Sequence, residues 1–453
     1  MEKKTEADLE ARSPWTGLAG IAEAELVPPA KPPQGEDVRA PGSKSVSNRA
    51  LLLAALADGP SVIRNVLRSD DTYWCIDALR RLGVTIEVTG DEVRVEGIGG
   101  DWPNRQAELY IGAAGTVARF LPGALAAAPS GQWTLRGSRS LSARPLAPLV
   151  QALGEAGANI RYAEDDGRLP LVVTARGLEG GRIAISGDTS SQFASGLLLA
   201  SPYARRTTHI TVPGGIVQQA YVGITIDWMR RFGANVVHDE RFGRFEVAPG
   251  RYTGRQVEIE ADASTACYYL AYAAVTGGRV RVTNLQSDTR QPDIRFAGVL
   301  ERMGCRVQAG PEGVELSGPA RLAGGFSVSM REMSDQTLTL AAIAPFADAP
   351  ITIADVAHIR HHECDRITAI CASLRALGID VEEREDGLTV HPGVPVGCAL
   401  PTWDDHRVAM SLALIGARTS GIRLLDPGCV SKTCPSFFDD LRRLGMEALM
   451  KRA

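Results

Sequence analysis

Residues 79–88, LRRLGVTIEV, hold the pattern that decides the fold: the end of an amphipathic helix, a glycine, and an alternating strand. Glycine after a helix commonly adopts the left-handed conformation, and alternation of apolar with polar residues is typical of a half-buried strand. The pattern recurs with successive glycines 67 to 76 residues apart, in residues 153–162, 229–238, 300–309, 374–383 and, shortened, 441–449. Because this spacing exceeds that of solenoid repeats, we predict six small α/β subdomains grouped in threes.

Length and composition agree with a large globular protein. The chain has 453 residues, of which 44% are hydrophobic and 23% are charged, so we expect at least two domains with substantial cores. The formal net charge of −4 argues against a protein dedicated to nucleic acids or membrane surfaces, which would carry an excess of basic residues.

The cysteines and the start of the chain favour the cytoplasm. The eight cysteines are scattered without a CxxC pair, which is typical of free thiols in a reducing compartment. The first residues lack the apolar segment of a signal peptide, and no apolar run approaches the roughly 20 residues that span a bilayer. Residues 1–37 are polar and rich in proline, so we predict a flexible extension ahead of the folded body.

Residues 40–50, APGSKSVSNRA, run directly into an apolar segment and predict a turn followed by a helix. The backbone N–H groups at the start of a helix attract anions, and Lys44, Ser45 and Arg49 add donors and positive charge. Residues 111–119 (IGAAGTVAR) and 187–193 (GDTSSQF) have a similar position before apolar runs. Each of these motifs alone is compatible with an ordinary helix cap.

Three further motifs in the second half carry ionisable side chains: residues 357–366 (AHIRHHECDR), 403–407 (WDDHR) and 431–435 (SKTCP). His358 and His362 are four residues apart, but no third ligand is indicated, so we predict no metal site. Glu363 is better interpreted as a carboxylate whose proton affinity is set by its charged neighbours. Taken together, the motifs of both halves predict a cleft between two domains that binds a small, multiply anionic substrate.

The motifs resemble those of the 3-phosphoshikimate 1-carboxyvinyltransferase family, also called 5-enolpyruvylshikimate-3-phosphate (EPSP) synthases. The resemblance covers residues 38 to 445, in the order of the family, and rests on PGSKSVSNRALLLAALA, GAAGTVARFL, ARPLAPLVQAL, SSQFASGLLLASP, EADASTACYYLA, DIRFAGVLERMG, SDQTLTLAAIAPFA, ECDRI, DDHRVAMSLAL and SKTCPSFFDDL.

The resemblance implies a two-domain inside-out α/β barrel with six βαβαββ-type subdomains, three per domain, around an interdomain cleft. The extension at 1–37 would be followed by a first domain of residues 38–41 plus 262–453 and a second domain of residues 42–261. The implied reaction transfers the enolpyruvyl group of phosphoenolpyruvate to the 5-hydroxyl of shikimate 3-phosphate. It implies no metal or organic cofactor. From the charge and the apolar runs we expect no nucleic-acid or membrane partner, and we expect a monomer.

The resemblance also implies roles for individual residues. Asp335 would accept the proton of the attacking hydroxyl, Glu363 would protonate the methylene carbon of phosphoenolpyruvate, and Lys44 would lie between both substrates. Shikimate 3-phosphate would be held by Ser45, Arg49, Ser190 and Ser191, with Gln192 near both ligands and Tyr221 near the shikimate ring. Phosphoenolpyruvate would be bound by Gly115, Arg144, Arg366, Arg407 and Lys432.

Some positions depart from the family pattern. His362 stands where the family often has lysine, and we include it among the substrate-binding residues with a charge that depends on pH. The other departures are Ala113, Phe120, Gln218 and His358. They lead us to expect shifted affinity for phosphoenolpyruvate and for its mimic glyphosate.

Three other functions are weighed against this one. The first is an enolpyruvyl transferase with a nucleotide or UDP-sugar acceptor, but residues 139–145 (RSLSARP) lack the cysteine expected in that class. The second is an inactive homologue that senses phosphorylated metabolites, and the retained Asp335, Glu363 and Lys44 argue against it. The third is a relative of the RNA 3′-phosphate cyclases, which the net charge disfavours.

Overall fold

The computed structural model describes residues 8–452, which fold into two compact units. The first unit contains residues 8–12, Thr16–Pro41 and 260–452, and the second contains Ser13–Trp15 and Gly42–Ile259. The main boundaries therefore lie at 41/42 and 259/260, where we had predicted 41/42 and 261/262.

Within residues 8–452 the α-helices are α1 Lys44–Leu56, α2 Asp70–Arg81, α3 Gly115–Ala126, α4 Arg139–Ser142, α5 Ala147–Glu155, α6 Ser191–Ala200, α7 Ala220–Arg231, α8 Ala263–Thr276, α9 Phe296–Arg302, α10 Thr337–Ile343, α11 Arg366–Ala376, α12 His406–Gly416 and α13 Phe437–Arg443. The 3-10 helices of the same range are Leu9–Ala11, Ser201–Tyr203, Pro292–Arg295, Arg331–Gln336, Ala344–Phe346, Ala357–His361 and Pro427–Lys432.

The β-strands of the described chain are β1 Ile21–Val27, β2 Gln34–Val38, β3 Asp58–Arg64, β4 Ile86–Thr89, β5 Glu92–Ile98, β6 Gln106–Tyr110, β7 Gly131–Arg136, β8 Asn159–Tyr162, β9 Leu171–Ala175, β10 Gly181–Ala184, β11 Thr208–Thr211, β12 Val236–His238, β13 Arg244–Val247, β14 Gln256–Glu258, β15 Arg279–Val282, β16 Arg306–Gly310, β17 Gly313–Ser317, β18 Phe326–Ser329, β19 Ile351–Ala354, β20 Val381–Arg384, β21 Gly387–Val390, β22 Ala399–Pro401, β23 Arg423–Leu425 and β24 Glu447–Arg452.

These strands form six four-stranded sheets with one shared topology. Each sheet has a parallel pair at one edge and two antiparallel pairings after it. The sheets of the second unit are β14-β3-β5-β4, β6-β7-β9-β8 and β10-β11-β13-β12, and those of the first unit are β2-β15-β17-β16, β18-β19-β21-β20 and β22-β23-β1-β24. The predicted six α/β subdomains, three in each half, are confirmed.

The repeated glycine has the predicted role at every copy. It follows the surface helix of each subdomain and adopts a positive φ between 79° and 97°, at Gly83, Gly157, Gly233, Gly304, Gly378 and Gly445. A side chain with a Cβ is strained in this conformation, whereas glycine is not. The chain can therefore leave the helix directly into the first strand of the hairpin.

The prediction of a flexible N-terminal extension is wrong for residues 8–37, and residues 1–7 lie outside the described range. Within residues 8–452 the sixth repeat supplies β24 but not its hairpin partner. Strand β1 supplies it and pairs antiparallel with β24 and with β23. Likewise β2 pairs in parallel with β15 and completes another sheet of the first unit. Hydrogen bonding of the backbone thus orders a segment whose composition alone predicted flexibility.

Four of the motifs noted in the sequence, at 40–50, 111–119, 187–193 and 403–407, lie at the starts of buried helices, whereas 357–366 precedes α11 and 431–435 lies at the end of the 3-10 helix Pro427–Lys432. Helices α1, α3 and α6 form the centre of the second unit, and α8, α10 and α12 form that of the first. In α8 every residue from Ala263 to Val275 is buried. A helix that is apolar on all sides belongs in a core, so its N-terminal turn is the part that can present polar groups.

Two features of the structure concern the predictions about membrane spans and free thiols. Among the helices of residues 8–452, none combines the length and the apolar character needed to cross a membrane. The eight cysteines are free thiols, and all except Cys398 are buried.

Candidate active site

The first unit gathers three carboxylates around one buried guanidinium. Arg366, whose side chain is 2% exposed, lies 2.9 Å from Asp335 through Nη1 and 2.9 Å from Glu363 through Nη2. Its Nε donates to Oδ2 of Asp405 at 2.8 Å. Arg366 therefore fixes the relative positions of Asp335 and Glu363, two residues that the sequence analysis singled out for proton transfer.

Helix caps explain why these residues meet. Arg366 is the first residue of α11, which is capped by Asp365 accepting from the backbone N–H of Thr368. Asp405 caps α12 by accepting from the backbone N–H of Arg407 at 2.8 Å. Polar side chains at these positions satisfy N–H groups that the helix itself leaves unpaired. The same local rule thus places Arg366, Asp405 and Arg407 at helix starts.

Two more cations reach the same carboxylates. Arg407 Nη2 lies 2.8 Å from Oδ2 of Asp335, and Lys432 Nζ lies 3.1 Å from Oε1 of Glu363. Burial would raise the pKa of Asp335, but Arg407 and Arg366 outweigh burial and hold this pKa far below its ordinary value. Burial alone would lower the pKa of Arg366. The nearby carboxylates of Asp405, Glu363 and Asp335 outweigh burial and raise this pKa above its ordinary value. The cluster therefore holds Asp335 ionised.

His358 and His362, two of the three histidines of this region, are neutral. Nδ1 of His362 accepts from Nη1 of Arg366 at 3.0 Å, and Nε2 of His358 is 2.9 Å from Oγ of Ser334. Burial lowers the pKa of His358 to about 4 and, together with Arg366, lowers that of His362 well below its ordinary value. His362 is thus a hydrogen-bond partner and not a cation in this state. Across residues 8–452, no group of three His, Cys, Asp or Glu side chains is arranged to bind a metal.

In the second unit Lys44 begins helix α1, as the sequence predicted. Its Nζ lies 3.6 Å from Oδ2 of Asp71, an almost fully buried carboxylate in the first turn of α2. A buried carboxylate near a lysine favours the charged form of the amine. Asp71 is therefore suited to hold Lys44 as a cation.

Arg49 is buried in the same unit and is bound by protein groups. It donates to Oγ1 of Thr225 at 2.8 Å and to the carbonyls of Ser45 and Tyr221 at 2.8 and 3.3 Å. Its guanidinium also lies 4.9 Å from the ring centre of Phe120, one of the departures from the family pattern. Three predicted residues, Ser45, Arg49 and Tyr221, therefore lie together.

Gly115 begins helix α3 beside Arg144. A Cβ at this position would lie 2.7 Å from Nη1 of Arg144 and 3.5 Å from Nη1 of Arg119. The absence of a side chain thus admits a guanidinium next to the N-terminal turn of α3. This juxtaposition of an arginine and helix N–H groups is suited to an anion.

Ser190, Ser191 and Gln192 lie at the start of α6. Ser190 is the N-cap, and its hydroxyl accepts from the backbone N–H of Gln192 at 3.2 Å. Ser191 is buried, and Oε1 of Gln192 is buried without a hydrogen-bond partner within residues 8–452. An unsatisfied buried amide oxygen is costly, so it indicates a place where a ligand or water donates.

The structure therefore brings Asp335, His362, Glu363, Arg366, Arg407 and Lys432 into one network in the first unit. It places the remaining predicted residues at the starts of α1, α3, α6 and α7 or near them in the second unit. Sequence reasoning missed Asp405 and Asp71. Asp405 lies inside the DDHR motif, and its position before an apolar helix was a signal for a cap.

The chain was compared with known protein families and proteins. A family model described as EPSP synthase (3-phosphoshikimate 1-carboxyvinyltransferase) matches residues 29–441. A relative from Halalkalibacterium halodurans, 3-phosphoshikimate 1-carboxyvinyltransferase 2, is 54% identical over 445 residues, 98% of this chain and 99% of the relative. The 3-phosphoshikimate 1-carboxyvinyltransferase of Trichormus variabilis is 41% identical over 415 residues, covering 91% of this chain and 97% of the relative.

The fold is also similar to that of a solved structure. The EPSP synthase from Acinetobacter baumannii matches with a TM-score of 0.80 at 26% sequence identity. The match covers 95% of this chain and 100% of that one.

Proposed function

Because the chain belongs to the EPSP synthase (3-phosphoshikimate 1-carboxyvinyltransferase) family, we propose that it transfers the enolpyruvyl group of phosphoenolpyruvate to shikimate 3-phosphate. The products are 5-enolpyruvylshikimate 3-phosphate and phosphate. The observation that carries the proposal is the network in which Arg366 holds Asp335 and Glu363 while Arg407 and Lys432 pair with the same carboxylates.

The cations of this network are suited to phosphoenolpyruvate, which carries a carboxylate and a phosphate. In the ligand-free protein Arg407 and Lys432 are paired with Asp335 and Glu363, so they hold no excess charge. We propose that phosphoenolpyruvate takes over both cations, with Arg366 and the Gly115–Arg144 pair as its further partners. Arginine forks bind carboxylate and phosphate through two parallel hydrogen bonds, which would orient the substrate.

This exchange of ion-pair partners would change the proton affinity of Asp335 and Glu363. Asp335 is a weak base while Arg407 and Arg366 lower its pKa, and an anionic substrate that shares these cations would raise that pKa. Asp335 would then accept the proton of the 5-hydroxyl as its oxygen bonds to C2 of phosphoenolpyruvate. Glu363 would donate a proton to C3 and later recover it as the C2–O bond to phosphate breaks. The proton on Asp335 would pass to the oxygen of the departing phosphate, which regenerates the carboxylate. Glu363 would take up its initial proton from solvent when phosphoenolpyruvate replaces it at Lys432 and Arg366.

The second unit would supply the contacts to shikimate 3-phosphate. Ser45, Arg49, Ser190 and Ser191 are the proposed phosphate and hydroxyl partners, with Tyr221 near the ring. Gln192 has a buried oxygen ready to accept a hydrogen bond. Lys44, held by Asp71, would add a cation near both substrates. Holding two reactants in one geometry removes much of the entropic barrier of a bimolecular reaction.

We further propose that the protein works in the cytoplasm, as a monomer, and without a bound metal or organic cofactor. The scattered free thiols support the reducing compartment. The reaction described above needs only proton transfers and ion pairing, which the named side chains supply.

The test is phosphate release by the purified protein from phosphoenolpyruvate, with and without shikimate 3-phosphate. Release that requires this acceptor is the expected result. Release with a UDP-sugar in place of shikimate 3-phosphate would assign another acceptor. Tight binding of either substrate with no release under any condition would favour a sensor of phosphorylated metabolites.

A further inference from the structure

Arg12 lies ahead of residue 29, where the match to the family begins, yet it reaches the loops that carry candidate site residues. Its Nη2 lies 2.8 Å from Oδ1 of Asp404 and 2.9 Å from Oδ2 of Asp426. All three side chains are mostly buried, with exposures of 13%, 10% and 27%. One guanidinium therefore joins two loops of the first unit that are distant from it in sequence.

Both loops have strained backbones at the residues that Arg12 holds. Asp404 and the preceding Trp403 have φ values of 51° and 58°, and Asp426 has a φ of 50°. Left-handed geometry is unfavourable for a residue with a Cβ. Such conformations persist only where the surroundings enforce them. The ion pairs of Arg12 contribute to that enforcement, together with Thr402, whose hydroxyl donates to the carbonyls of Leu425 and Asp426.

The two loops lead directly into the charged network. After Asp404 come Asp405, which binds Arg366 and caps α12, and Arg407, which binds Asp335. After Asp426 comes the 3-10 helix Pro427–Lys432, which ends at the lysine paired with Glu363.

A second contact from the N-terminal segment supports the same loop. The hydroxyl of Thr16 donates to Oγ of Ser431 at 2.6 Å, next to Lys432. The segment therefore meets both sides of the lysine-bearing turn, through Arg12 at Asp426 and through Thr16 at Ser431.

Charge gives a second reason why Arg12 matters to both loops. Burial raises the pKa of Asp404 to about 6, and Arg12 followed by Lys432 acts in the opposite direction. Burial likewise raises the pKa of Asp426, and Arg12 opposes that rise. Without Arg12, both carboxyl groups would lose their shared cation and their pKa values would rise further, so that Asp404 would carry less charge near neutral pH. Neither loop would then keep the ion pair that holds the residues leading to Arg407 and Lys432.

We propose that Arg12 is a positioning residue that holds the loops 402–407 and 426–432 so that Arg407 and Lys432 are preset for phosphoenolpyruvate. The proposal rests on the function proposed above, because it assigns the affected cations to that substrate. It predicts that the N-terminal segment tunes the affinity for phosphoenolpyruvate although it touches neither substrate.

The experiment compares Arg12→Ala, Arg12→Lys and the control Lys451→Ala with the unaltered full-length chain. Lys451 also joins two carboxylates of the N-terminal segment, Glu23 and Glu25 at 2.8 and 3.1 Å, but neither carboxylate belongs to the loops 402–407 and 426–432. Arg12→Ala should raise KM for phosphoenolpyruvate about tenfold, equivalent to about 1.4 kcal/mol. KM for shikimate 3-phosphate should stay unchanged, Arg12→Lys should restore most of the loss, and Lys451→Ala should change neither constant.

Two outcomes would overturn the proposal. One is an Arg12→Ala protein with a lowered melting temperature but an unchanged KM for phosphoenolpyruvate, which would make the contact merely structural. The other is an equal rise in both constants. If Arg12→Ala does not fold, Asp404→Asn, which keeps Arg12 and its pair with Asp426, should show the same selective rise. Direct calorimetric binding of phosphoenolpyruvate separates this question from turnover, so inactivity of the unaltered chain would count against the proposed function alone.

Discussion

Nε of Arg366 lies 2.8 Å from Oδ2 of Asp405, and both side chains are almost completely buried. A guanidinium removed from water is tolerated only where carboxylates and hydrogen bonds compensate it. Asp405 supplies that compensation and caps α12 with its other oxygen. The orientation of Asp335 and Glu363 around Arg366 therefore depends on an aspartate to which the sequence motifs assign no chemistry.

Asp405→Asn should lower the free energy of unfolding by about 3 kcal/mol, because it leaves a buried charge with one partner fewer. Chemical unfolding followed by circular dichroism measures the loss. The control is Asp439→Asn, which removes an exposed pair with Arg442 and should change stability by no more than about 0.5 kcal/mol. Equal losses of unfolding free energy for the two substitutions would show that the buried pair stabilises the protein no more than the exposed pair does.

Asp335→Asn should reduce kcat by roughly a hundredfold or more, because the amide cannot accept the proton of the hydroxyl. The Michaelis constants should change far less. Steady-state phosphate release gives both quantities, and Glu332→Gln on the same 3-10 helix is the control. Near-normal turnover of Asp335→Asn would remove this residue from the proton-transfer step.

Lys432→Ala should raise KM for phosphoenolpyruvate by roughly tenfold to a hundredfold, since a charged hydrogen bond contributes about 1.5–3 kcal/mol. KM for shikimate 3-phosphate should stay close to its original value. The exposed Lys31→Ala provides a control for the loss of one positive charge. An unchanged constant for phosphoenolpyruvate would exclude Lys432 from that subsite.

Gly115→Ala should raise KM for phosphoenolpyruvate several-fold while leaving stability nearly unchanged. The added Cβ would lie 2.7 Å from Nη1 of Arg144, so the flexible guanidinium must move away from the start of α3. The matched control is Gly154→Ala in α5, where a Cβ has no heavy atom within 4 Å. Titration of phosphoenolpyruvate at saturating shikimate 3-phosphate measures the change. Identical kinetics for the two variants would contradict the proposed role of the Gly115–Arg144 pair.

The buried Asp293 should make stability depend on pH. Burial, with Asp335 as a further cause, raises its pKa from an ordinary 3.8 to about 7. The folded protein therefore keeps a proton that the unfolded chain has released, so this contribution to stability is lost as pH rises from about 4 to about 7. The melting temperature of the unaltered protein should fall relative to that of Asp293→Asn as the pH rises from about 4 to about 7. As a control, the melting temperature of a variant at an exposed position, Asp288→Asn, should change with pH as that of the unaltered protein does. If the melting temperature of Asp293→Asn also changes with pH in the same way, Asp293 does not titrate in this range.

The sequence predicted the positions of those candidate site residues that depend on local helix-start signals. Lys44, Ser190 and Arg366 lie at helix starts because a small polar residue followed by an apolar run ends the preceding turn and opens a helix. The neutrality of His362 was not predictable in this way. It depends on burial and on Arg366, whose guanidinium donates to its Nδ1.

The sequence by itself determined the repeated architecture of this protein. Each helix–glycine–strand unit specifies its own subdomain through local conformational preference, as the positive φ of Gly83 and Gly445 shows. Only the tertiary structure decided which distant segments complete one another. Strand β1 fills the sixth sheet, and Arg12 binds Asp404 and Asp426 about four hundred residues away. Strand pairing and buried ion pairs are interactions between segments remote in the chain, and local periodicity carries no information about their partners.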